Sequence, residues 1–333
     1  MPHTDSRVKN PASRTWGRRT VAIRVIPITL GTLLIWLLSM GCHRSPIAIP
    51  ESPPEAVTTV MQQLVDNQPR VLWDALPPSY QSDIRGLIVT FCDQMDPEVY
   101  DRTFRLLNQG VRVLRQQRQF LFNSPYTLDN VLLDSGIGLH WNESVAILET
   151  LVNSDIASLD SLRQMDPGLF LASTGSRVMS DLERLTRRIQ RSPEANPWER
   201  AREALARVPV RFVPGEGSEG LLTFGSLSDD EKDREVPMMQ VEGRWVPAEM
   251  AATWKLNVAN MQVGLERLGS PEAQQAKPMV LMILGTLERS MDALLQARSQ
   301  QEFDAVLGGL RSIGEMARVL RQTGEPANRK EPR

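Results

Sequence analysis

The sequence predicts a predominantly helical α+β protein with one small antiparallel sheet. Apolar residues recur every three or four positions over most of the chain, which is the period of a helix packed on one side. In residues 208–248 they alternate or cluster in short runs instead, which is typical of strands. The order of these patterns gives a helical region at 55–207, a β-meander at 208–248 and a C-terminal helical hairpin or bundle at 249–322.

Helix starts are marked by a recurring pair, a small polar residue followed by proline. The polar side chain can accept hydrogen bonds from the free N–H groups of a first turn, and the fixed φ of proline suits the first helical position. The pairs are Asp96–Pro97, Ser124–Pro125, Asp166–Pro167, Ser192–Pro193, Asn196–Pro197 and Ser270–Pro271. Together with the apolar spacing they predict helices at 55–67, 79–92, 97–122, 142–153, 156–164, 167–191 and 197–207.

Two stretches of the helical region repeat a short pattern. The tetrapeptide Gln-Met-Asp-Pro occurs at 94–97 and again 70 residues later at 164–167, each time after a Ser-Asp-Ile and before a Ser-Pro. One interpretation is a duplicated helical unit of about 70 residues. The other is that Asp-Pro, a good helix start, is simply used twice.

Short apolar runs at 208–213, 221–226 and 235–246 are separated by Gly- and Asp-rich stretches. They predict an antiparallel meander in which Glu242–Gly243 turns the third run back as a fourth strand. The hairpin sequence VEGRWV, after a helical N-terminal part, resembles the closing strands of NTF2-like and cystatin-like domains of exported lipoproteins. That resemblance covers 208–254 and implies a small cone-shaped domain.

The C-terminal region contains three successive sets of apolar residues that step by three and four. They predict three helices joined at Ser270–Pro271 and Arg298–Ser299, folded onto each other or onto the sheet. An exposed coiled-coil dimer is the alternative use of the same faces. The polar tail at 323–333 is predicted to be disordered.

An uncharged apolar run at 25–42 follows a basic leader that contains one acidic residue, Asp5. This layout is typical of an export signal. The end of the run, Leu-Ser-Met-Gly-Cys at 38–42, resembles the lipobox of bacterial lipoprotein precursors. The resemblance implies cleavage before Cys42, which removes residues 1–41 and leaves Cys42 as the site of lipid attachment, with palmitate or a similar acyl chain.

The alternative is that residues 25–41 stay in place as an uncleaved transmembrane anchor. Both interpretations place the folded part outside the cytoplasm, in the cell envelope, because the basic flank stays inside. The proline-rich stretch at 42–54 is predicted to be an extended tether between the membrane and the folded part.

Charge and cysteine content exclude several kinds of function. The whole chain has 38 basic and 40 acidic residues. Removing residues 1–41 takes away six basic and one acidic residue, which leaves 32 and 39 and a net charge of −7. An acidic exported chain is poorly suited to nucleic acid. If Cys42 carries lipid, Cys92 has no partner for a disulfide, and its apolar neighbours predict a buried, inert thiol.

The search for catalytic and metal-binding motifs gives mostly exclusions. The glycines of Gly215–Gly220 match a dinucleotide fingerprint, but a strand follows them, so they predict a turn. The acidic residues at 229–233 lack the glycine and final glutamate of an EF-hand and predict a solvated loop. We therefore predict no metal site, no cofactor and no nameable catalytic residue. Residues that could line a pocket are His140, Trp141, Trp245 and Trp254.

Two functions follow from these observations. The first is a membrane-anchored exported lipoprotein that acts as a non-enzymatic interaction or assembly module with an envelope protein partner. The alternative is a small-molecule-binding protein or hydrolase that uses a concave pocket beside the short sheet. A pocket with inward-facing polar groups around the sheet favours the alternative, whereas a sheet whose faces are completely covered by helices excludes it.

Overall fold

The computed structural model describes residues 45–126, 137–190, 196–225 and 233–311. One compact unit begins at Pro46. The export signal, Cys42 and the tail at 323–333 lie outside the described residues, so those predictions stay predictions. In the described ranges, no helix is both long and apolar enough to span a membrane.

The predominantly helical α+β class is confirmed. Four antiparallel strands form one small sheet, and helices precede and follow it. The helices are α1 (Pro53–Val65), α2 (Arg70–Asp74), α3 (Pro78–Gln94), α4 (Pro97–Gln116), α5 (Arg118–Asn123), α6 (Trp141–Val152), α7 (Leu159–Gln164), α8 (Pro167–Phe170), α9 (Ser176–Ile189), α10 (Pro197–Arg207), α11 (Ala248–Glu266), α12 (Pro271–Gln296) and α13 (300–311). Short 3₁₀ turns precede α6 and α7 and follow α11, and a π-turn joins α8 to α9.

The helix starts follow the polar–proline pairs at four of the six positions. The side chains of Asp96, Asp166, Asn196 and Ser270 accept hydrogen bonds from N–H groups of the first turns of α4, α8, α10 and α12. Ser124 differs, because it ends α5 instead of starting a helix. Ser192 lies outside the described residues.

The predicted helix at 97–122 is wrong in one respect, because it is interrupted at Gln117 and becomes α4 and α5. The Gln117 side chain donates to the backbone carbonyls of Leu295 and Ala297, 2.9 and 3.4 Å away, at the end of α12. At the interruption, the Gln117 side chain therefore joins the end of α4 to the end of α12, which is distant in sequence. The short helix α2 was not predicted, since five residues are too few to show a period.

The sheet has the order β1 (Val210–Pro214), β2 (Glu219–Phe224), β3 (Arg234–Val241) and β4 (Arg244–Pro247), with every neighbouring pair antiparallel. The predicted turn at Glu242–Gly243 is confirmed, with φ of 50° and 76°. The predicted turn at Gly215–Gly220 is also confirmed, and it bends at Gly217, whose φ is +63°.

Helices α3, α4, α6, α9, α11 and α12 form a packed layer. Helix α4 lies between α6 and α12, α6 also contacts α9, and α3 contacts α11. Three buried clusters of the described residues lie among these helices and their neighbours: one around Trp141 and Val145, one around Cys92 and Tyr100, and one around Leu294 and Phe303. On the sheet side, α1 contacts β1 and α11 contacts β3 and β4.

The two copies of the repeated pattern do not have the same structure. Residues 82–84 lie inside α3, whereas 154–156 form the entrance to a 3₁₀ turn before the much shorter α7. In both copies the Asp-Pro pair caps a helix. These features fit the repeated use of a good helix start better than a duplicated unit.

The tether prediction is wrong for residues 46–54. Helix α1 begins at Pro53, and 46–52 lie against the folded unit instead of standing free. The Ile47 N–H donates to Asp74 Oδ2 at 2.8 Å, and side chains of β4 donate to the carbonyls of Ile49 and Glu51. The stretch is held because its backbone groups find partners on the folded unit.

Candidate ligand-binding cavity

An apolar cavity lies between the sheet and the two helices α1 and α2. Its volume is about 540 Å³. That falls inside the range of roughly 300–1,000 Å³ common for small-molecule sites. The lining residues are Ile49, Ala56, Val57, Val60, Met61, Leu72, Ala75, Leu76, Leu222, Phe224, Arg234, Val236, Met238, Trp245, Val246, Pro247 and Met250.

The floor of the cavity is one face of the sheet. Alternate residues of a strand share a face, so Arg234, Val236 and Met238 of β3 point the same way. Leu222 of β2 lies opposite Val236, and Phe224 lies opposite Arg234. The apolar residues whose alternation predicts the strands therefore also form the floor of the cavity.

One corner of the floor is closed by two aromatic rings from opposite edges of the sheet. The ring of Phe212 on β1 reaches that of Trp245 on β4, with centroids 5.0 Å apart in an edge-to-face arrangement. Phe212 passes over Gly220, where a Cβ atom would come within 2.1 Å of the Phe212 Cζ. Glycine at 220 is what allows the two rings to meet.

The stretch 46–52, which we call the strap, runs from α2 to this corner. Ile47 is fixed to Asp74 of α2, whose carboxylate also pairs with Arg70 at 3.1 Å. At the other end, Trp245 Nε1 donates to the Glu51 carbonyl at 2.9 Å. The side of the strap facing the cavity contributes Ile49 to the lining. The strap is therefore part of the wall.

Among the described residues that line the cavity, Arg234 is the one that carries a charge. It is exposed and stands at the start of β3, at the end of the floor away from Trp245. Within the described part of the chain, its guanidinium forms neither an ion pair nor a side-chain hydrogen bond. As far as the described residues define it, the cavity thus combines an apolar floor with one arginine side chain at one end.

The residues predicted to line a pocket do not come together. Trp245 lines the cavity, but Trp254 stacks on Tyr80 with ring centroids 4.0 Å apart and donates to Asp83 Oδ2. That interaction belongs to the contact between α3 and α11. Trp254 therefore does not line this cavity.

His140 and Trp141 are also outside the cavity. Trp141 is buried in the core of the helical layer, where its Nε1 donates to the Leu114 carbonyl at 2.7 Å. Its ring packs edge-to-face against Phe122. His140 is half-buried and precedes the first residue of α6. Neither residue therefore lines the cavity, although both follow a glycine-rich stretch of the sequence.

The remaining groups considered for chemistry are Cys92, possible metal ligands and the acidic stretch at 229–233. Cys92 is buried as predicted, and burial raises the pKa of its thiol. In the described ranges, no three His, Cys, Asp or Glu side chains are placed to hold a metal ion. Of the acidic stretch at 229–233, only Asp233 lies in those ranges.

Sequence reasoning missed Phe212, Arg234 and most of the helical wall. The alternation of side chains along β3 could have identified the floor, because Arg234, Val236 and Met238 are spaced by two residues and therefore share one face of the strand. No signal pointed to α2, because it is short and its contacts are with residues far away in sequence.

Comparisons of the chain with protein-family models, with curated proteins and with solved structures find no match.

Proposed function

We propose that this protein binds an apolar small molecule in the cavity between α1, α2 and the sheet, and that it acts without catalysis. The observation that carries the proposal is the apolar lining of a cavity of about 540 Å³. Burial of apolar ligand surface contributes roughly 25 cal/mol per Å², so such a lining favours an apolar occupant over water.

The location of the protein is part of the proposal. The apolar run at 25–42 and the lipobox-like ending support an exported protein anchored through lipid on Cys42, with the cavity outside the cytoplasm. Anchoring next to a bilayer gives an apolar-ligand protein direct access to molecules dissolved in the membrane. Replacing Cys42 with Ser tests the anchor, because metabolic labelling with a fatty acid is then lost.

The binding proposal can be tested with a photoactivatable alkyl probe on the full chain in phospholipid nanodiscs. We expect saturable labelling of peptides that contain Met238 or Trp245. Val236→Phe places a ring in the cavity and abolishes this labelling. Val263→Phe is the matched control, because Val263 is exposed on α11 and outside the cavity. Equal labelling of both variants contradicts the proposal.

A second candidate function, an interaction module, is favoured by an exposed apolar patch on α12. Met279, Met282 and Ile283 occupy one face of the helix and are 58%, 64% and 46% exposed. The surrounding residues 278–287 include no charged side chain. The partner we assign to this patch is a second copy of the chain. Across a twofold axis the patch would face the same patch of the other copy, and because it carries no charged side chain the two would not repel each other.

Self-association can be tested by oxidative cross-linking in vesicles. Met282→Cys is expected to give a covalent dimer, whereas Ser82→Cys, at an exposed position of α3, is expected to stay monomeric. Equal cross-linking at both positions, or none at either, excludes this surface as a dimer interface.

A further inference from the structure

We infer that the ligand is a linear amphiphile with an anionic end, of which a long-chain fatty acid is the simplest example. The inference rests on the proposed binding function and adds the chemical class of the ligand. It depends on the shape of the cavity floor and on the position of Arg234.

The floor is longer than it is wide. Arg234, Val236 and Met238 follow one strand, and the position after them on that face, Gln240, lies opposite Trp245 of β4. At about 3.3 Å per residue, the path from Arg234 to the level of Trp245 is roughly 20 Å. Linear alkyl chains fit a slot of this form, whereas compact ring systems leave its ends empty.

The two ends of this slot differ in chemistry. The end at Trp245 is closed by the paired rings of Trp245 and Phe212 and by Ile49 of the strap. The other end carries the Arg234 guanidinium, which has no partner within the described residues. An alkyl chain lying along the floor therefore has its terminal methyl at the aromatic end and its head group beside Arg234.

Arginine favours a carboxylate or phosphate over an uncharged head group, because its planar fork can donate two parallel hydrogen bonds to either anion. Arg234 is exposed, so water and salt weaken this preference. Exposed ion pairs contribute about 0.2–1 kcal/mol, which corresponds to up to about a fivefold difference in affinity. The expected selectivity is therefore modest, and most of the affinity comes from the apolar chain.

The experiment is a competition on the full chain in nanodiscs. Peptides that contain Met238 or Trp245 are labelled by an uncharged photoactivatable alkyl probe, and palmitate or hexadecanol is added as competitor. For the unmodified chain, palmitate is expected to halve the labelling at a concentration about twofold to fivefold below that of hexadecanol. Raising the salt concentration is expected to shrink the difference.

Three variants assign this preference to Arg234. Arg234→Gln is expected to make the two competitors equal, and Arg234→Lys to retain part of the difference. Arg211→Gln is the control, because Arg211 is also an exposed arginine of the sheet. It lies opposite Thr223 in the strand register, which places it on the face of the sheet away from the cavity. It is expected to retain the whole difference.

The outcomes separate the two proposals. If labelling of the cavity peptides persists but palmitate and hexadecanol compete equally in the unmodified chain, the anionic class is wrong and the apolar cavity stands. The same holds if Arg234→Gln leaves the preference intact. If neither competitor reduces labelling of these peptides, the binding function itself is wrong.

Discussion

The helical layer and the sheet side of this protein use similar apolar residues, but they place their aromatic side chains differently. In the helical layer, Phe303 and Leu294 are 0% and 1% exposed, and the ring of Phe120 packs 5.7 Å from that of Phe303. On the sheet side, the rings of Phe212 and Trp245 meet edge to face at one corner. Between this corner and the helical wall, where Val57 and Ala75 lie, a cavity of about 540 Å³ is left open.

This difference shows how one chain makes both a rigid part and a binding site. Long helices packed side by side, such as α4 and α12, bury Val113 and Leu294 in one cluster. Helix α2 has five residues and cannot cover the sheet face in the same way. The predictions below test whether the two regions respond differently to equivalent changes.

The largest effect is expected from a deletion in the filled region. Phe303→Ala removes a fully buried ring and leaves a void, so the free energy of unfolding falls by about 3–5 kcal/mol. Urea unfolding followed by circular dichroism measures the loss. The control is Leu256→Ala on α11, where the side chain is 63% exposed, and a change within about 0.5 kcal/mol is expected. A small effect at Phe303 means that the helical layer is not packed as described.

A matched enlargement in each region gives the sharpest comparison. Val145→Phe, at a position 2% exposed in the helical core, forces overpacking and is expected to cost about 1–3 kcal/mol. Val236→Phe adds the same ring beside a cavity that can hold it, so the expected cost is below about 1 kcal/mol. Both are measured by urea unfolding. Equal costs contradict the distinction between a filled and a hollow region.

Acid is expected to weaken the contact between α4 and α12. The Arg102 guanidinium binds both carboxylate oxygens of Glu288, at 2.5 and 3.3 Å, and these hydrogen bonds hold the pKa of Glu288 below its usual value. The folded state therefore binds this proton less readily than the unfolded state. The stabilisation is complete above the ordinary carboxyl pKa and is lost as pH falls through the lower folded value.

Glu288→Gln tests this prediction. The variant is expected to be less stable at neutral pH and to lose stability less steeply below about pH 4.5. Urea unfolding at a series of pH values measures both effects. Glu235→Gln, at an exposed position of β3, is the control for the substitution itself and is expected to keep the neutral-pH stability of the unmodified chain within about 0.5 kcal/mol. An unchanged slope for Glu288→Gln means that another group controls the acid transition.

Much of the fold could be predicted because its signals are local. Strand parity placed β1 to β4 within about two residues, and Asp96 and Asp166 marked helix starts through their own side-chain hydrogen bonds. The interruption at Gln117 could not be predicted, because its cause is a pair of carbonyls about 180 residues further along the chain.

The site was harder to predict than the fold. Trp245 and Trp254 are predicted pocket residues because they lie in or beside the predicted sheet, and Trp141 because it is a conspicuous tryptophan after a loop. In the structure, Trp141 and Trp254 pack between helices. The proline-rich sequence of the strap at 46–52 predicts an extended tether, because it carries no sign of which distant groups bind its backbone. A cavity is the space left between elements, and local sequence does not encode that space.

The most direct test of the central claim is the labelling of the full chain in nanodiscs by the photoactivatable alkyl probe. If the cavity binds apolar ligands, labelling of peptides that contain Met238 or Trp245 is saturable, is lost in Val236→Phe and is retained in Val263→Phe. Unsaturable labelling spread over the exposed apolar residues of α11 and α12, unaffected by Val236→Phe, is the result that contradicts it.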